Sequence, residues 1–124
     1  MSFEAIVLIA HGSRHESANA DTRALVAELV QRGVCRFAVP AFLELAEPDI
    51  DTAGADCVQR GATSVLLLPH FLSAGVHVQR DLTAARDRLA ARFPAVAFTL
   101  AEPIGAHPSL LDALIERAKQ AGTK

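Results

Sequence analysis

The chain has 124 residues, of which 51% are hydrophobic and 21% are charged, and its net charge is −2. The length predicts a single domain over residues 1–124, and the charge argues against a nucleic-acid partner because binding phosphates needs a basic excess. The first apolar run is too short to cross a bilayer and lacks the basic flank of a signal peptide, so we expect a cytoplasmic protein that binds no membrane.

Short apolar runs alternate along the chain with segments of helical period. The runs are typical of strands that are covered on both faces. They lie at residues 5–10, 35–43, 64–68 and 95–100. Stripes of apolar side chains at helical spacing predict four helices. The stripes are Leu25, Val26, Leu29 and Val30; Ile50, Ala53, Cys57 and Val58; Leu82, Ala85, Leu89 and Phe93; and Leu110, Leu111, Leu114, Ile115 and Ala118.

This alternation predicts an α/β fold, a three-layer α/β/α domain with a four-stranded parallel sheet. We expect the strand order 2-1-3-4, which makes the first and third strands neighbours. Ligands of such sheets bind beyond the carboxyl ends of the strands. That rule directs attention to residues 11–16, 44–48, 69–79 and 101–108. Cys35 and Cys57 fit no metal or redox spacing and are interpreted as buried apolar residues.

The first of these loops begins His11-Gly12-Ser13-Arg14. Gly12 allows a close backbone turn, and Ser13 is expected to cap the following helix. An imidazole, a hydroxyl and a guanidinium near a helix N-terminus suit an anion or a metal. The alternative for His11 is an ordinary capped turn with a surface arginine.

The second loop supplies Glu44, directly after a predicted strand, where a carboxylate can accept protons or bind a metal. A solvated loop acid is the equally simple alternative for Glu44. The third loop is apolar for a surface segment, which suggests that it lines an apolar ligand, and Gly75 is expected to allow a tight bend. His77 follows it, and a lone loop histidine is more often structural or exposed than functional. His11 and His77 can converge in this fold, although the sequence does not require it.

Three segments together resemble the one-domain sirohydrochlorin chelatases, relatives of the anaerobic cobaltochelatase and the siroheme ferrochelatase. They are LIAHGSR at residues 8–14, AFLELAEPDI at 41–50 and LLLPHFLSAGVHVQRDL at 66–82. The resemblance implies a chelatase-like fold, insertion of Fe²⁺ or Co²⁺ into a tetrapyrrole, and no cofactor besides that metal substrate. It also implies a homodimer whose cleft lies between two subunits.

Carried over by position, the resemblance makes His11 and His77 the paired histidines that bind the metal, with Glu44 as the accompanying catalytic acid. The substrate-binding residues that we expect are Ser13, Arg14, Phe71, Leu72, Ser73, Ala74, Gly75 and Val76. The remaining histidines, His15, His70 and His107, are scattered and form no metal-collecting loop, which makes Ni²⁺ the less expected metal.

Two other functions fit some of the same residues. A non-catalytic carrier of a metal or of a metallated tetrapyrrole would use the same histidines and the same apolar loop. An acyl- or phosphoryl-transfer enzyme using His11 and Ser13 is disfavoured, because the chain has neither a G-x-S-x-G elbow nor a P-loop motif.

Overall fold

Four strands and four helices alternate along the chain in the computed structural model, which describes residues 3–105 and 107–122. Residues 1, 2, 106, 123 and 124 of the predicted domain lie outside the described ranges. The elements are β1 (Phe3–Ala10), α1 (Glu16–Gln31), β2 (Cys35–Phe42), α2 (Ile50–Gln59), β3 (Ser64–Pro69), α3 (Val76–Arg92), β4 (Ala97–Leu100) and α4 (Pro108–Gly122). Each predicted strand and helix is therefore present, with ends that differ by a few residues.

The strands form one parallel sheet in the order β2-β1-β3-β4, which confirms the predicted order. Ala10 pairs with Phe42 of β2, and Ile9 pairs with Pro69 of β3. The carboxyl ends of these three strands therefore lie side by side, and the loops that follow them leave from the same edge of the sheet. Both neighbours of β1 are parallel to it because a helix carries the chain across the sheet between consecutive strands.

The main core lies between one face of the sheet and the helices α2 and α3. Alternate strand residues supply one side of it, such as Val7 and Ile9 of β1 and Leu67 of β3. The helices supply the other side with Cys57 and Leu82, each 0% exposed. Burial of these side chains removes apolar surface from water, which is the principal favourable term in folding.

Helix α1 covers the opposite face of the sheet over β1 and β2. Only Val26 of its predicted apolar stripe is buried, whereas Leu25 and Val30 are exposed. The stripe of α4 departs further from the prediction, because no residue of α4 is buried within the described chain. A helical period shows which face of a helix is apolar, but it does not show that the same chain covers that face.

Both cysteines are free and buried, as predicted. Burial raises the pKa of the Cys57 thiol to about 11, so this group is uncharged at neutral pH and packs as an apolar residue. Among the described helices, none has the length and apolar character needed to cross a membrane.

Candidate active site at the carboxyl edge of the sheet

His11 is the first residue after β1, and the turn that follows brings it against the exit of β2. Gly12 has a φ of +98°, and a Cβ placed there would lie 1.8 Å from the carbonyl oxygen of Glu44. The backbone N–H of Glu44 donates a hydrogen bond of 3.1 Å to the carbonyl oxygen of His11. Only glycine allows both this φ and this close approach, so Gly12 fixes the two loops against each other.

The side chains of His11 and Glu44 meet as a result of this backbone contact. His11 Nε2 lies 3.1 Å from Glu44 Oε1. The two side chains are 59% and 58% exposed, so both partners remain open to solvent and to a ligand. The structure thus brings together two of the three residues that we expected to carry the chemistry.

Phe71 fixes the imidazole of His11 from a second side. The two rings make an edge-to-face contact, with centroids 6.3 Å apart and planes at 86°. We expected Phe71 to face a ligand, yet it is only 7% exposed and belongs to the core. Its position is therefore corrected: Phe71 packs in the core against His11 and offers little surface to a ligand, because its side chain is buried.

The remaining residues of the β3–α3 loop do present apolar surface. Leu72 is 68% exposed and Val76 is 72% exposed, while Ser73 and Gly75 are also exposed. Gly75 has a φ of −70°, a value open to any residue, so the tight bend expected there is not present. Gly75 is instead the N-cap residue of α3.

His77 lies in the first turn of α3 and not in a loop as we expected, because the helix already begins at Val76. Its side chain is exposed at the same edge of the sheet. The part of the chain that the structure describes gathers no group of three histidine, cysteine or acidic side chains able to hold a metal. A single chain therefore forms the pair His11 and Glu44 without completing a set with His77.

A cavity of about 410 Å³ opens beside this pair between the β2 exit loop and the helices α2 and α3. Its lining includes His11 and Glu44 together with Asp49, Asp51, Val78, Asp81 and Arg88. No sequence pattern points to Asp51 or Arg88, which form an ion pair of 3.0 Å between α2 and α3. The spacing in the sequence could have selected Asp81, because it follows His77 by four residues and therefore lies on the same side of α3.

Asp49 also lines the cavity, and its main contact is structural. Its carboxylate accepts a hydrogen bond of 2.8 Å from the backbone N–H of Thr52 and caps α2. Hydrogen bonds from Thr52 lower the pKa of Asp49, so the cap is a carboxylate over a wide pH range.

Ser13 and Arg14 continue the loop after His11, but Ser13 does not cap α1 as expected. The Ser13 hydroxyl accepts a hydrogen bond of 3.0 Å from the backbone N–H of His15, which is itself the N-cap residue of α1 and makes no side-chain cap. Buried Asn19 fixes the turn by accepting from the Ser13 N–H and donating to its carbonyl. Arg14 is exposed and makes no ion pair within the described residues, so its guanidinium is available to an anion.

Comparison with known proteins decides the family. The family model described as CbiX matches residues 5–121, nearly the whole chain. The chain belongs to the CbiX family. The match includes the His11 loop, the Glu44 loop and the start of α3, so the candidate site lies within the region shared with CbiX proteins.

Two solved structures have the same fold. A putative cobalamin biosynthesis CbiX protein from Marinobacter aquaeolei is 34% identical with a TM-score of 0.81, covering 95% of this chain and 96% of that one. The sirohydrochlorin chelatase SirB from Bacillus subtilis subspecies spizizenii, in complex with cobalt, is 30% identical with a TM-score of 0.84. The superposition covers 95% of this chain and 50% of SirB.

A curated relative is the sirohydrochlorin ferrochelatase of Bacillus subtilis, which is 32% identical over 123 residues. The match covers 96% of this chain and 46% of the relative. The chain thus spans about half the length of the curated ferrochelatases that it matches, whereas it is similar in length to the Marinobacter protein.

Proposed function

We propose that this CbiX-family protein is a sirohydrochlorin metallochelatase, an enzyme that inserts Fe²⁺ or Co²⁺ into a tetrapyrrole. The observation that carries the proposal is the contact of 3.1 Å between His11 and Glu44 at the mouth of a cavity on the ligand-binding edge of the sheet. The names of the relatives support the substrate, since one is a sirohydrochlorin ferrochelatase and another is a sirohydrochlorin chelatase solved with cobalt.

Metal insertion requires a proton acceptor beside the ring. Two pyrrole N–H bonds break, the metal forms bonds to all four ring nitrogens, and two protons leave for each divalent ion inserted. A neutral imidazole and a carboxylate are both proton acceptors near neutral pH. Because His11 and Glu44 touch and are both more than half exposed, a proton accepted by His11 passes to Glu44 and then to water.

The same pair suits the metal as a passing substrate. Imidazole nitrogen and carboxylate oxygen are ligands for Fe²⁺ and Co²⁺, and imidazole selects no single metal of that series. We assign delivery of the metal to His11 and His77, which is an exposed residue in the first turn of α3. Two or three exchangeable protein ligands fit an ion that has to be handed on to four ring nitrogens.

The macrocycle has an apolar face and an acidic rim, and the chain offers surfaces for both. Exposed Leu72 and Val76 supply apolar contact beside the site, with Ser73, Ala74 and Gly75 between them. We assign the exposed Arg14 to the rim carboxylates, which a guanidinium binds in a bidentate manner. Ser13 keeps its hydroxyl hydrogen free to donate, because its oxygen is the acceptor in the bond from His15.

We further propose a homodimer in which each chain supplies one chelatase-like domain over residues 1–124. Support comes from coverage, since this domain matches 50% of SirB and 46% of the ferrochelatase relative, which leaves room in each for a second domain of this kind. Two copies would also supply the second wall that a half-exposed His11–Glu44 pair lacks. No nucleic-acid partner, no membrane partner and no cofactor beyond the metal substrate are proposed, and the cytoplasmic location stays a prediction from the sequence.

The decisive experiment follows the absorbance of sirohydrochlorin under anaerobic conditions with Co²⁺, Fe²⁺ or Ni²⁺, with and without the protein. An enzyme yields many product molecules per protein chain and a rate proportional to protein concentration, with Ni²⁺ the slowest of the three. The alternative function, a carrier of metal or metallated tetrapyrrole, predicts tight stoichiometric binding with no acceleration. A rate equal to that of the metal alone for all three ions would exclude the enzyme.

A further inference from the structure

Helix α4 presents an apolar stripe that the described residues of its own chain leave largely exposed. Leu111 is 61% exposed, Leu114 is 62% exposed and Ile115 is 44% exposed, and no residue of α4 is buried within the described chain. A helix of 15 residues is marginal in water without tertiary packing. The stripe therefore indicates that α4 packs against a surface elsewhere.

A matching surface lies on the sheet face that carries α1. Helix α1 contacts β1 and β2 there, while α2 and α3 lie on the other face, so among the described residues no helix packs extensively over the part of this face formed by β3 and β4. Leu66 and Leu68 of β3 alternate with buried core residues, point toward this face and are only partly buried. In a three-layer α/β domain a helix normally covers such strands.

An apolar groove of about 360 Å³ marks the uncovered region, and we call it the α1 groove. Its lining is Leu8, Leu25, Glu28, Leu29, Arg32, Leu68, His70 and Ile104. Ile104 belongs to the segment between β4 and α4, so the groove begins four residues before Pro108, where α4 starts. Gly105 lies against the backbone of Leu72, since a Cβ there would be 2.3 Å from the Leu72 carbonyl oxygen, and this contact fixes where the segment leaves the domain.

We propose that α4 is exchanged between two copies of this chain, so that the stripe of each α4 fills the α1 groove of the other copy. Such an exchange is self-complementary under a two-fold axis and closes with two chains. At the rim of the groove Glu28 and Arg32 form an ion pair of 2.9 Å, so the surface offered to the apolar stripe carries no unmatched charge there. This proposal deepens the homodimer proposed above by naming its interface.

The exchange also places the interface next to the candidate active site. The segment that leads to α4 rests on Leu72, and Leu72 follows Phe71, whose ring contacts His11. An α4 held by a second copy thus anchors the loop that supports His11. The two active-site edges become parts of one assembly without any change in the fold of either chain.

Mixed cysteine crosslinking tests the exchange directly. A chain carrying Leu114→Cys is mixed with a differently tagged chain carrying Leu25→Cys, and the pair is treated with a short bifunctional thiol reagent. Native Cys35 and Cys57 are 5% and 0% exposed and do not compete. We expect a crosslinked heterodimer joined through the two introduced cysteines. The matched control Glu116→Cys, on the opposite side of α4, is expected to crosslink poorly.

Three outcomes would overturn the proposal. A chain carrying both Leu114→Cys and Leu25→Cys that links only within itself would show that α4 folds back onto its own groove. Equal crosslinking from Glu116→Cys would show random collision. Sedimentation of the unmodified protein as a single chain would show that the protein forms no dimer. None of these readouts uses metal insertion. Failure of the exchange proposal is therefore distinguishable from failure of the proposed chelatase activity.

A charged substitution gives a second, independent measurement. Leu114→Lys alters no buried residue of the single chain, so its circular dichroism should stay that of a folded α/β protein. We expect it to sediment with the mass of one chain, while Glu116→Lys keeps the mass of two chains. A dimer that survives Leu114→Lys would contradict the exchange.

Discussion

His11 Nε2 and Glu44 Oε1 lie 3.1 Å apart, although 33 positions of sequence separate the two residues. The contact exists because β1 and β2 are adjacent and parallel, with Ala10 beside Phe42 at their carboxyl ends. A turn at Gly12 then presses one exit loop onto the other. The strand order therefore brings together the two residues of the proposed proton-accepting pair.

Replacement of Glu44 by Gln should slow metal insertion while leaving the fold intact. The amide keeps the shape of the carboxylate but no longer accepts a proton at neutral pH, so we expect kcat to fall by about 10²-fold, the usual contribution of a positioned acid or base. Initial rates of Co²⁺ insertion measure the effect. Glu47→Gln is the matched control, because Glu47 is an exposed acid in the same loop. Equal rates for Glu44→Gln and the unmodified protein would show that Glu44 takes no part in proton transfer.

Replacement of Gly12 by Ala should damage both stability and activity. The positive φ alone costs about 1–3 kcal/mol, and the clash with the Glu44 carbonyl adds a further ~1–3 kcal/mol of overpacking. Gly61→Ala isolates the first effect, since Gly61 has a φ of +93° and open space around its Cβ position. Urea unfolding of both variants measures the difference. If Gly12→Ala is no less stable than Gly61→Ala, the close approach to Glu44 is not a structural constraint.

The cap formed by Asp49 predicts a pH dependence of stability. Asp49→Ala should lower the free energy of unfolding by about 1 kcal/mol at pH 7 because α2 loses its N-cap. The pKa of Asp49 is lowered in the folded state, so its contribution is present above the unfolded pKa of about 3.9 and is lost as the pH falls through the lower folded value. The deficit of Asp49→Ala should therefore shrink in acid.

Asp49→Asn provides the control for that titration. Asparagine caps a helix about as well as aspartate but does not ionise. We expect this variant to match the unmodified protein near neutral pH more closely than Asp49→Ala does. A deficit of Asp49→Ala that stays the same from pH 7 to about pH 3 would show that the carboxylate charge plays no part in the cap.

The strand order and the active-site edge could be predicted from the sequence, but the position of each loop side chain could not. His11 and Glu44 stand next to or near strand ends, where the sheet order alone fixes their neighbourhood. Phe71 comes two residues after β3, and whether it turns inward depends on packing against His11 and the core. His77 was expected in a loop because nothing in the residues before it marks Val76 as the start of α3.

Helix α4 and the cavity lining show two further limits of the sequence. The apolar stripe of α4 was predicted correctly as a helical pattern, yet its partner is not within the described chain. Asp51 and Arg88 come from different helices, and their ion pair depends on how α2 packs against α3. Such contacts between elements carry no short-range sequence signal.

The most direct measurement is the rate of Co²⁺ insertion into sirohydrochlorin by the unmodified protein, by His11→Ala and by His15→Ala. His15 is an exposed histidine four residues further along, so it controls for loss of an imidazole near the site. We predict that the unmodified protein and His15→Ala turn over at similar rates, while His11→Ala loses about 10²-fold or more in kcat. Insertion by His11→Ala at the unmodified rate would contradict the account.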